Sequence, residues 1–261
     1  MSLDLSVENG VATILLDRPD VMNALDDRLG EELLESVTKS AEDDQVRCIV
    51  VTGAGRAFCA GEDLGALASA YESGEAPGLG QTLTHRYNPL IRAIRAAPKP
   101  VVAALNGVAA GAGASIALAC DFRIASEHAK LMLAFIKVGL VPDSGGIWFL
   151  TRMVGAARAW QLAATGDPVS AQEALALGLV NKVVGADAFE DEWKGFAEEL
   201  AKGPTRAFAL TKSLLDGAAT ATLDEQLDLE VEAQSEAGRT SDHLEGVRAF
   251  LAKRAPSFWG M

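Results

Sequence analysis

The 261-residue chain reads as an α/β protein whose sheet is laid down early and whose last third is helical. Three observations predict this. Apolar strand-like runs alternate with helical apolar stripes through the first part, an Asn-Gly turn separates two such runs at the start, and beyond about Asp143 strand signals nearly vanish.

In chain order, Leu3, Leu5 and Val7 alternate with Asp4, Ser6 and Glu8, and Asn9-Gly10 then leads into Val11-Ala12-Thr13-Ile14-Leu15. This pattern predicts an antiparallel hairpin with a two-residue turn. After Pro19, the apolar residues Leu25, Leu29, Leu33, Val37 and Ala41 recur at helical spacing among acidic and basic neighbours, which predicts an amphipathic helix. Val46 to Val51, Val101 to Leu105 and Phe122 to Ala125 read as buried strands, with a small-residue helix from Gly111 to Ala119 between the last two. Strands separated by helices imply right-handed crossovers. In the last third only Leu179 to Val184 looks like strand, and Ser170-x-x-Glu173 and Thr222-x-x-Glu225 are capping boxes that open helices. The glycine-rich stretch Tyr71 to Gly80 lies inside the α/β part and is expected to be a mobile loop, not a linker.

Composition narrows the function. Hydrophobic residues make up 49% of the chain against 23% charged, which excludes disorder as the dominant state. Lys and Arg (23) against Asp and Glu (36) leave a net charge of −13, which would repel a phosphate backbone, so no nucleic-acid partner is expected. Neither a leader pattern nor an uninterrupted apolar run of about 20 residues is visible, so the expectation is a soluble, cytoplasmic protein without a membrane partner. Cys48, Cys59 and Cys120 lack CxxC spacing, and His85, His128 and His243 are unpaired among polar neighbours. That argues for a reducing compartment, against a metal site, and for solvent-facing histidines.

Two motifs mislead. Gly53-Ala54-Gly55 and Gly111-Ala112-Gly113 begin like a dinucleotide fingerprint, but Phe58 and Ile116 stand where its third glycine belongs. Asp143-Ser144-Gly145-Gly146 is similar to the serine neighbourhood of chymotrypsin-like proteases, whose all-β fold does not suit a largely helical pattern. More informative are two small-residue turns after strand-like runs, Arg56 to Leu64 and Asn106 to Ser115. In the second, Gly and Ala alternate where a helix begins, so unpaired N–H groups are open to a ligand. With a facing N–H from the first turn they would form an oxyanion hole. Close helix–strand packing selects the same residues, and both readings stand. Asp143 likewise suits either acid–base chemistry or the N-cap of a helix.

The segments Ala57 to Leu64 (AFCAGEDL), Asn106 to Asp121 (NGVAAGAGASIALACD), Gly139 to Gly146 (GLVPDSGG), Ser170 to Leu179 (SAQEALALGL) and Phe250 to Arg254 (FLAKR) resemble, in order, the crotonase or enoyl-CoA hydratase/isomerase superfamily. The likeness runs from Asp17-Arg18-Pro19 to Phe258, and Leu140 to Asp143 and the C-terminal tail read most like the ring-epoxide isomerases of phenylacetate degradation. It implies a crotonase-like spiral of repeated ββα units over residues 1–200 and a helical trimerisation region over 201–261, assembled as a homotrimer or a hexamer. It also implies an acyl-CoA thioester substrate, with coenzyme A entering as part of the substrate and no separate cofactor.

By the same resemblance the backbone N–H groups of Glu62 and Ala112 hold the thioester oxygen, although relatives commonly carry glycine where Ala112 stands. Ala24, Ala57, Cys59, Ala60, Asp63 and Leu64 fall where relatives cradle the adenine and pantetheine of coenzyme A, Gly61, Val108, Gly111 and Pro142 are further candidates for coenzyme A or substrate binding, and Phe135 makes the acyl pocket apolar. Arg18 and Lys253 are the candidates for the phosphates. The two glutamates that hydratases use to activate water align with Ser115 and Phe135, neither of which is a base, and Asp143 is the carboxylate left at a known catalytic position. The expected activity is therefore acyl-CoA isomerisation: a double-bond shift, or rearrangement of a ring epoxide of phenylacetyl-CoA, with Asp143 moving the proton. An atypical hydratase and a non-catalytic acyl-CoA-binding protein are the alternatives.

Overall fold

The computed structural model describes residues 2–74 and 78–261. Among these residues the strands are β1 (Leu3–Glu8), β2 (Val11–Leu16), β3 (Cys48–Gly53), β4 (Ala57–Cys59), β5 (Val101–Leu105), β6 (Val108–Ala110), β7 (Phe122–Ser126), β8 (Lys130–Met132), β9 (Val169–Ser170) and β10 (Lys182–Val184). The α-helices are α1 (Asp27–Glu42), α2 (Ala68–Glu72), α3 (Leu79–Thr82), α4 (Asn88–Ala96), α5 (Ala112–Ala119), α6 (Gly146–Thr165), α7 (Ala171–Ala176), α8 (Phe189–Ala201), α9 (Thr205–Ala218), α10 (Leu223–Ala237) and α11 (Ser241–Ala252).

Two sheets divide the strands. The larger runs β1-β2-β3-β5-β7-β10, antiparallel in the opening hairpin and parallel thereafter. The smaller runs β4-β6-β8-β9, parallel except for β9. Each of the pairs β3/β4, β5/β6 and β7/β8 places its first strand in one sheet and its second in the other before the chain turns into helix, which is the ββα spiral expected. The hairpin forms as predicted, with Asn9 and Gly10 at φ of 51° and 77°. The three-residue strands β4, β6 and β8 are too short to show an alternation, and sequence reading misses them.

The central parallel strands are buried on both faces, which is why they read as continuous apolar runs. Ile49, Val51, Val101, Ala103 and Leu105 pack toward Leu29, Leu33 and Val37 of α1 and Leu90 and Ile94 of α4. Cys48, Val50, Val102, Ala104 and Ile124 face Phe189, Trp193, Ala197 and Ala201 of α8. The three thiols are free and buried, and burial pushes each up to about 12.

Three expectations need correction. Leu25 is not on α1, which begins at Asp27 with Asp26 as its N-cap; Leu25 instead makes a parallel bridge to Glu62. The small-residue helix starts at Ala112, with Gly111 as its cap at φ 53°. The stretch Tyr71 to Gly80 contains the end of α2 and the start of α3, while residues 75–77 lie outside the described residues. Both capping boxes form, at Ser170 and at Thr222.

Buried charges clamp α9 onto the core. Lys212 Nζ donates to Asp121 Oδ2 (2.9 Å) and to the Ile94 carbonyl (2.8 Å), and Arg95 pairs with both Asp121 (2.9 Å) and Asp216 (2.6 Å). The C-terminal tail is pinned by Arg47, which donates to the Phe258 carbonyl, and by Asp242, which accepts from the N–H groups of Trp259 and Gly260. In contrast, α10 buries none of its residues. No helix among the described residues is long and apolar enough to cross a membrane.

Candidate active site

The parallel pairing of β4, β6 and β8 decides where the site lies. Ala57 stands opposite Val108, and Val108 opposite Lys130, so the chain leaves the ends of all three strands at one edge. The residues that follow them are Ala60 to Glu62, Gly111-Ala112 and Leu133 to Phe135. Ligands of parallel sheets bind outside the carboxyl ends of the strands for this reason. A cavity of about 250 Å³ occupies that edge, lined by Ala60, Glu62, Leu64, Gly111, Ala112, Phe135 and Asp143 among others.

Contacts between the first two loops are made by backbone. Gly61 has φ 92°, and a Cβ there would lie 2.9 Å from the Ala110 carbonyl and 3.2 Å from the Ala112 nitrogen. The Gly61-Glu62 loop is fixed from its other side by the segment around Leu25. Leu25 N–H donates to the Gly61 carbonyl (2.7 Å), Asp63 N–H to the Leu25 carbonyl (3.0 Å) and Ala60 N–H to the Met22 carbonyl (3.0 Å). The fully buried Asn23 braces the same segment by donating to the carbonyls of Ala54 and Ala57. Among the described residues the Glu62 N–H has no protein acceptor, and Ala112, the first residue of α5, has no acceptor one turn back in its helix. Glu62 and Ala112 thus bring two backbone N–H groups without protein acceptors to one cavity.

Asp143 lines the same cavity and is not a helix cap. The N-cap of α6 is Gly145 at φ 74°, with no side-chain cap. The carboxylate instead accepts from Ser144 Oγ (2.8 Å), while the Asp143 backbone carbonyl takes the Gly146 N–H (2.8 Å) and Ser115 Oγ (3.0 Å). Burial pushes the Asp143 carboxyl above its ordinary range; the Ser144 hydroxyl works against that, and the Glu62 charge adds to it. Ser144 has φ 51° and is 3% exposed, so its unusual backbone is held in place by packing.

Of the residues aligned with the hydratase glutamates, Ser115 is fully buried beneath Asp143 and Phe135 forms part of the apolar wall. The coenzyme A candidates divide. Ala60, Leu64, Gly111 and Phe135 line the cavity, whereas Ala24, Ala57, Cys59, Gly61, Val108 and Pro142 do not; Ala57 and Val108 open β4 and β6 at the end away from it. Asp63 is paired with Arg18 (2.9 Å), and Arg18 also reaches Asp26 (3.2 Å) and the Ala24 carbonyl (2.6 Å). The Arg18 charge is therefore balanced inside the fold. Lys253 caps the end of α11, is exposed, and does not line the cavity.

Sequence reading missed part of the site. Leu79, Thr82, Leu83 and Tyr87 form another part of the wall, and the Glu62 carboxylate accepts from Tyr87 and acts on Asp143 through its charge, so Asp143 is not the only carboxylate at the site. Nothing in the spacing of 79–87 signals this. A single turn of π geometry, Leu83–Tyr87, joins α3 to α4 and turns these side chains toward the strand ends.

The ββα spiral, with Glu62, Ala112 and the half-buried Asp143 on one cavity at the strand ends, is of the crotonase fold class. The sequence matches the enoyl-CoA hydratase/isomerase family over residues 6–260, and the chain belongs to that family. It is 46% identical over 254 residues to the 1,2-epoxyphenylacetyl-CoA isomerase of Escherichia coli, covering 97% of each chain. It is 36% identical over 257 residues to the crotonyl-CoA hydratase of Syntrophomonas wolfei, covering 97% of this chain and 96% of the other. The crystal structure of an enoyl-CoA hydratase from Bacillus anthracis superposes with a TM-score of 0.93 at 35% identity, covering the whole of both chains.

Proposed function

We propose that this chain is an acyl-CoA isomerase. The observation that carries the reading is Asp143: a half-buried carboxylate in one cavity with two unpaired N–H groups, while by the family resemblance Ser115 and Phe135 stand where hydratases carry their water-activating pair. The thioester oxygen of a 3-enoyl-CoA accepts from the N–H groups of Glu62 and Ala112. Asp143 removes a proton from C2, the C2–H electron pair enters the dienolate, and negative charge gathers on the thioester oxygen. The protonated Asp143 then returns the proton to C4, which leaves the double bond between C2 and C3 with atoms and charge unchanged overall. Burial favours this role, because a raised carboxyl pKa lets one group both take and return a proton nearer neutrality.

The apolar wall around Phe135, Val138, Leu140 and Tyr87 suits an alkyl chain or a ring. Similarity to the Escherichia coli isomerase supports a ring epoxide of phenylacetyl-CoA as the second substrate class. Leu223, Val231, Phe250 and Leu251, 66–82% exposed on α10 and α11, support self-association, and the family resemblance makes the expected assembly a homotrimer or hexamer.

The test is a three-part panel on the purified protein: 3-hexenoyl-CoA isomerisation, crotonyl-CoA hydration, and binding of each ester. Isomerisation at least about a hundredfold faster than hydration is expected, since general acid–base assistance contributes about 10²–10⁴ and the water-activating pair is absent. Robust hydration would assign the chain to hydratase chemistry, and tight binding with no turnover to an acyl-CoA-binding role.

A further inference from the structure

Glu62 carries two groups with opposed electrostatic effects. Its N–H is one of the two donors open to the substrate oxygen, whereas its carboxylate would repel negative charge gathering on that oxygen. The carboxylate is held by two consecutive residues of the π turn. Arg86 Nη2 and Tyr87 Oη both donate to Glu62 Oε2, and Arg86 Nη1 also donates to Asp27 Oδ1 on α1 (2.8 Å). Both donors are consecutive residues at the end of the π turn, just before α4.

Holding this arginine inside the fold is costly. Arg86 is 6% exposed, and its Nε has no hydrogen-bond partner among the described residues. Gly30 of α1 leaves room for its stem, since a Cβ there would lie 2.8 Å from Arg86 Cγ. A buried ion pair is weak evidence for stability, and apolar side chains of similar volume often serve a fold equally well. The arrangement needs another reason.

We propose that Arg86 and Tyr87 are positioning residues of this site. They draw the Glu62 carboxylate onto the cavity wall and balance its charge, which leaves the Glu62 N–H to the substrate oxygen and Asp143 without an uncompensated anion facing it. The inference rests on the isomerase reading for its catalytic consequence but not for its electrostatic one. The titratable groups that line the cavity with Asp143 are Glu62, from the loop after β4, and Tyr87, from the π turn; Ser144 contributes its hydroxyl, and the other lining side chains are uncharged. Arg86 and the exposed Asp27 complete the charges around Glu62.

The experiment follows the Asp143 carboxyl directly, by carbon-13 NMR titration of aspartate-labelled whole protein, with Asp143→Asn identifying the signal. Arg86→Gln should raise the Asp143 midpoint by about one pH unit, since an unbalanced neighbouring anion disfavours ionisation. Glu62→Gln should lower it, and the Arg86→Gln/Glu62→Gln pair should return it close to the starting value. If Arg86→Gln does not fold, Tyr87→Phe, which removes one donor, should raise the midpoint by a smaller step, and Glu62→Gln still lowers it. Turnover of 3-hexenoyl-CoA should fall on the order of tenfold in Arg86→Gln and recover in the pair, one pH unit of charge interaction being worth about a factor of ten in rate.

A merely structural ion pair would lower Tm and leave the Asp143 titration in place. An unmoved midpoint in Glu62→Gln overturns the proposal. A wild-type protein inert toward 3-hexenoyl-CoA whose midpoints nevertheless shift as described would overturn the isomerase reading and leave the positioning role standing.

Discussion

Asp143→Asn separates chemistry from architecture because the amide keeps the shape of the carboxylate and loses its ability to accept and return a proton. Removing a general acid–base group costs about 10²–10⁴ in rate, and the upper end is expected here because both halves of the proposed transfer use Asp143. The other carboxylate in the cavity, Glu62, already takes donors from Arg86 and Tyr87 at Oε2. Stability should not fall. Loss of a capping side chain costs about 1 kcal/mol, or about 2–4 °C in Tm for a chain of similar size, but the cap of α6 is Gly145 and the amide oxygen can still accept from Ser144 Oγ.

The pH dependence gives a second reading of the same variant. The folded-state pKa of Asp143 is raised above its ordinary 3.8 by burial first. Its contribution to stability is therefore fully present below 3.8 and is lost as pH rises through the folded value. On the proposed mechanism activity runs the other way, because the anion is the base: kcat/KM should fall as pH drops through that same value. Asp143→Asn should remove this component of the stability profile and be at least as stable as the parent at neutral pH. Isomerisation of 3-hexenoyl-CoA, measured beside thermal melting from pH 4 to 8, checks both. An active protein with a lowered Tm would falsify the catalytic assignment and return Asp143 to a structural role.

Further outcomes test the rest of the site. Ser144→Ala removes the hydroxyl that holds the Asp143 carboxyl down, so the acid limb of kcat/KM should move to higher pH; an unshifted limb would show that this hydrogen bond does not tune the base. Gly113→Ala places a Cβ within 2.8 Å of the Cys59 carbonyl carbon, a backbone atom that cannot turn aside, and should cut kcat/KM about 10²-fold by parting the two donor loops. Wild-type kinetics in that variant would mean that the loop spacing is not critical. Light scattering at micromolar concentration should give three or six times 27.3 kDa, with Phe250→Asp/Leu251→Asp reducing it, whereas a 27.3 kDa parent species would contradict self-association through the exposed faces of α10 and α11.

Much of the fold and part of the site are legible in the sequence because they rest on local physics. The Asn9-Gly10 turn, the Leu29-Leu33-Val37 stripe, the doubly buried β3 and β5 and the two capping boxes each depend on residues a few positions apart, where backbone preference and burial periodicity act directly. Likeness in five ordered motifs is enough to point to Glu62, Ala112 and Asp143, which the structure brings to one cavity. What the sequence leaves open is set by non-local register. Strands of three residues show no period, so the parallel alignment of β4, β6 and β8, and with it the meeting of Gly61 and Ala112, exists only once the spiral closes. Whether Asp143 caps a helix is decided by the backbone at Ser144 and Gly145, not by residue type. Leu25 leaves the helical stripe for a bridge to Glu62, and Arg18, already beside Asp26 of its own unit, gains Asp63, because Glu62 and Asp63 arrive from the next turn of the spiral. Charge is subject to the same limit: the environment that raises Asp143 and balances Glu62 is made by side chains distant in sequence, and a carboxylate takes its character from what surrounds it after folding.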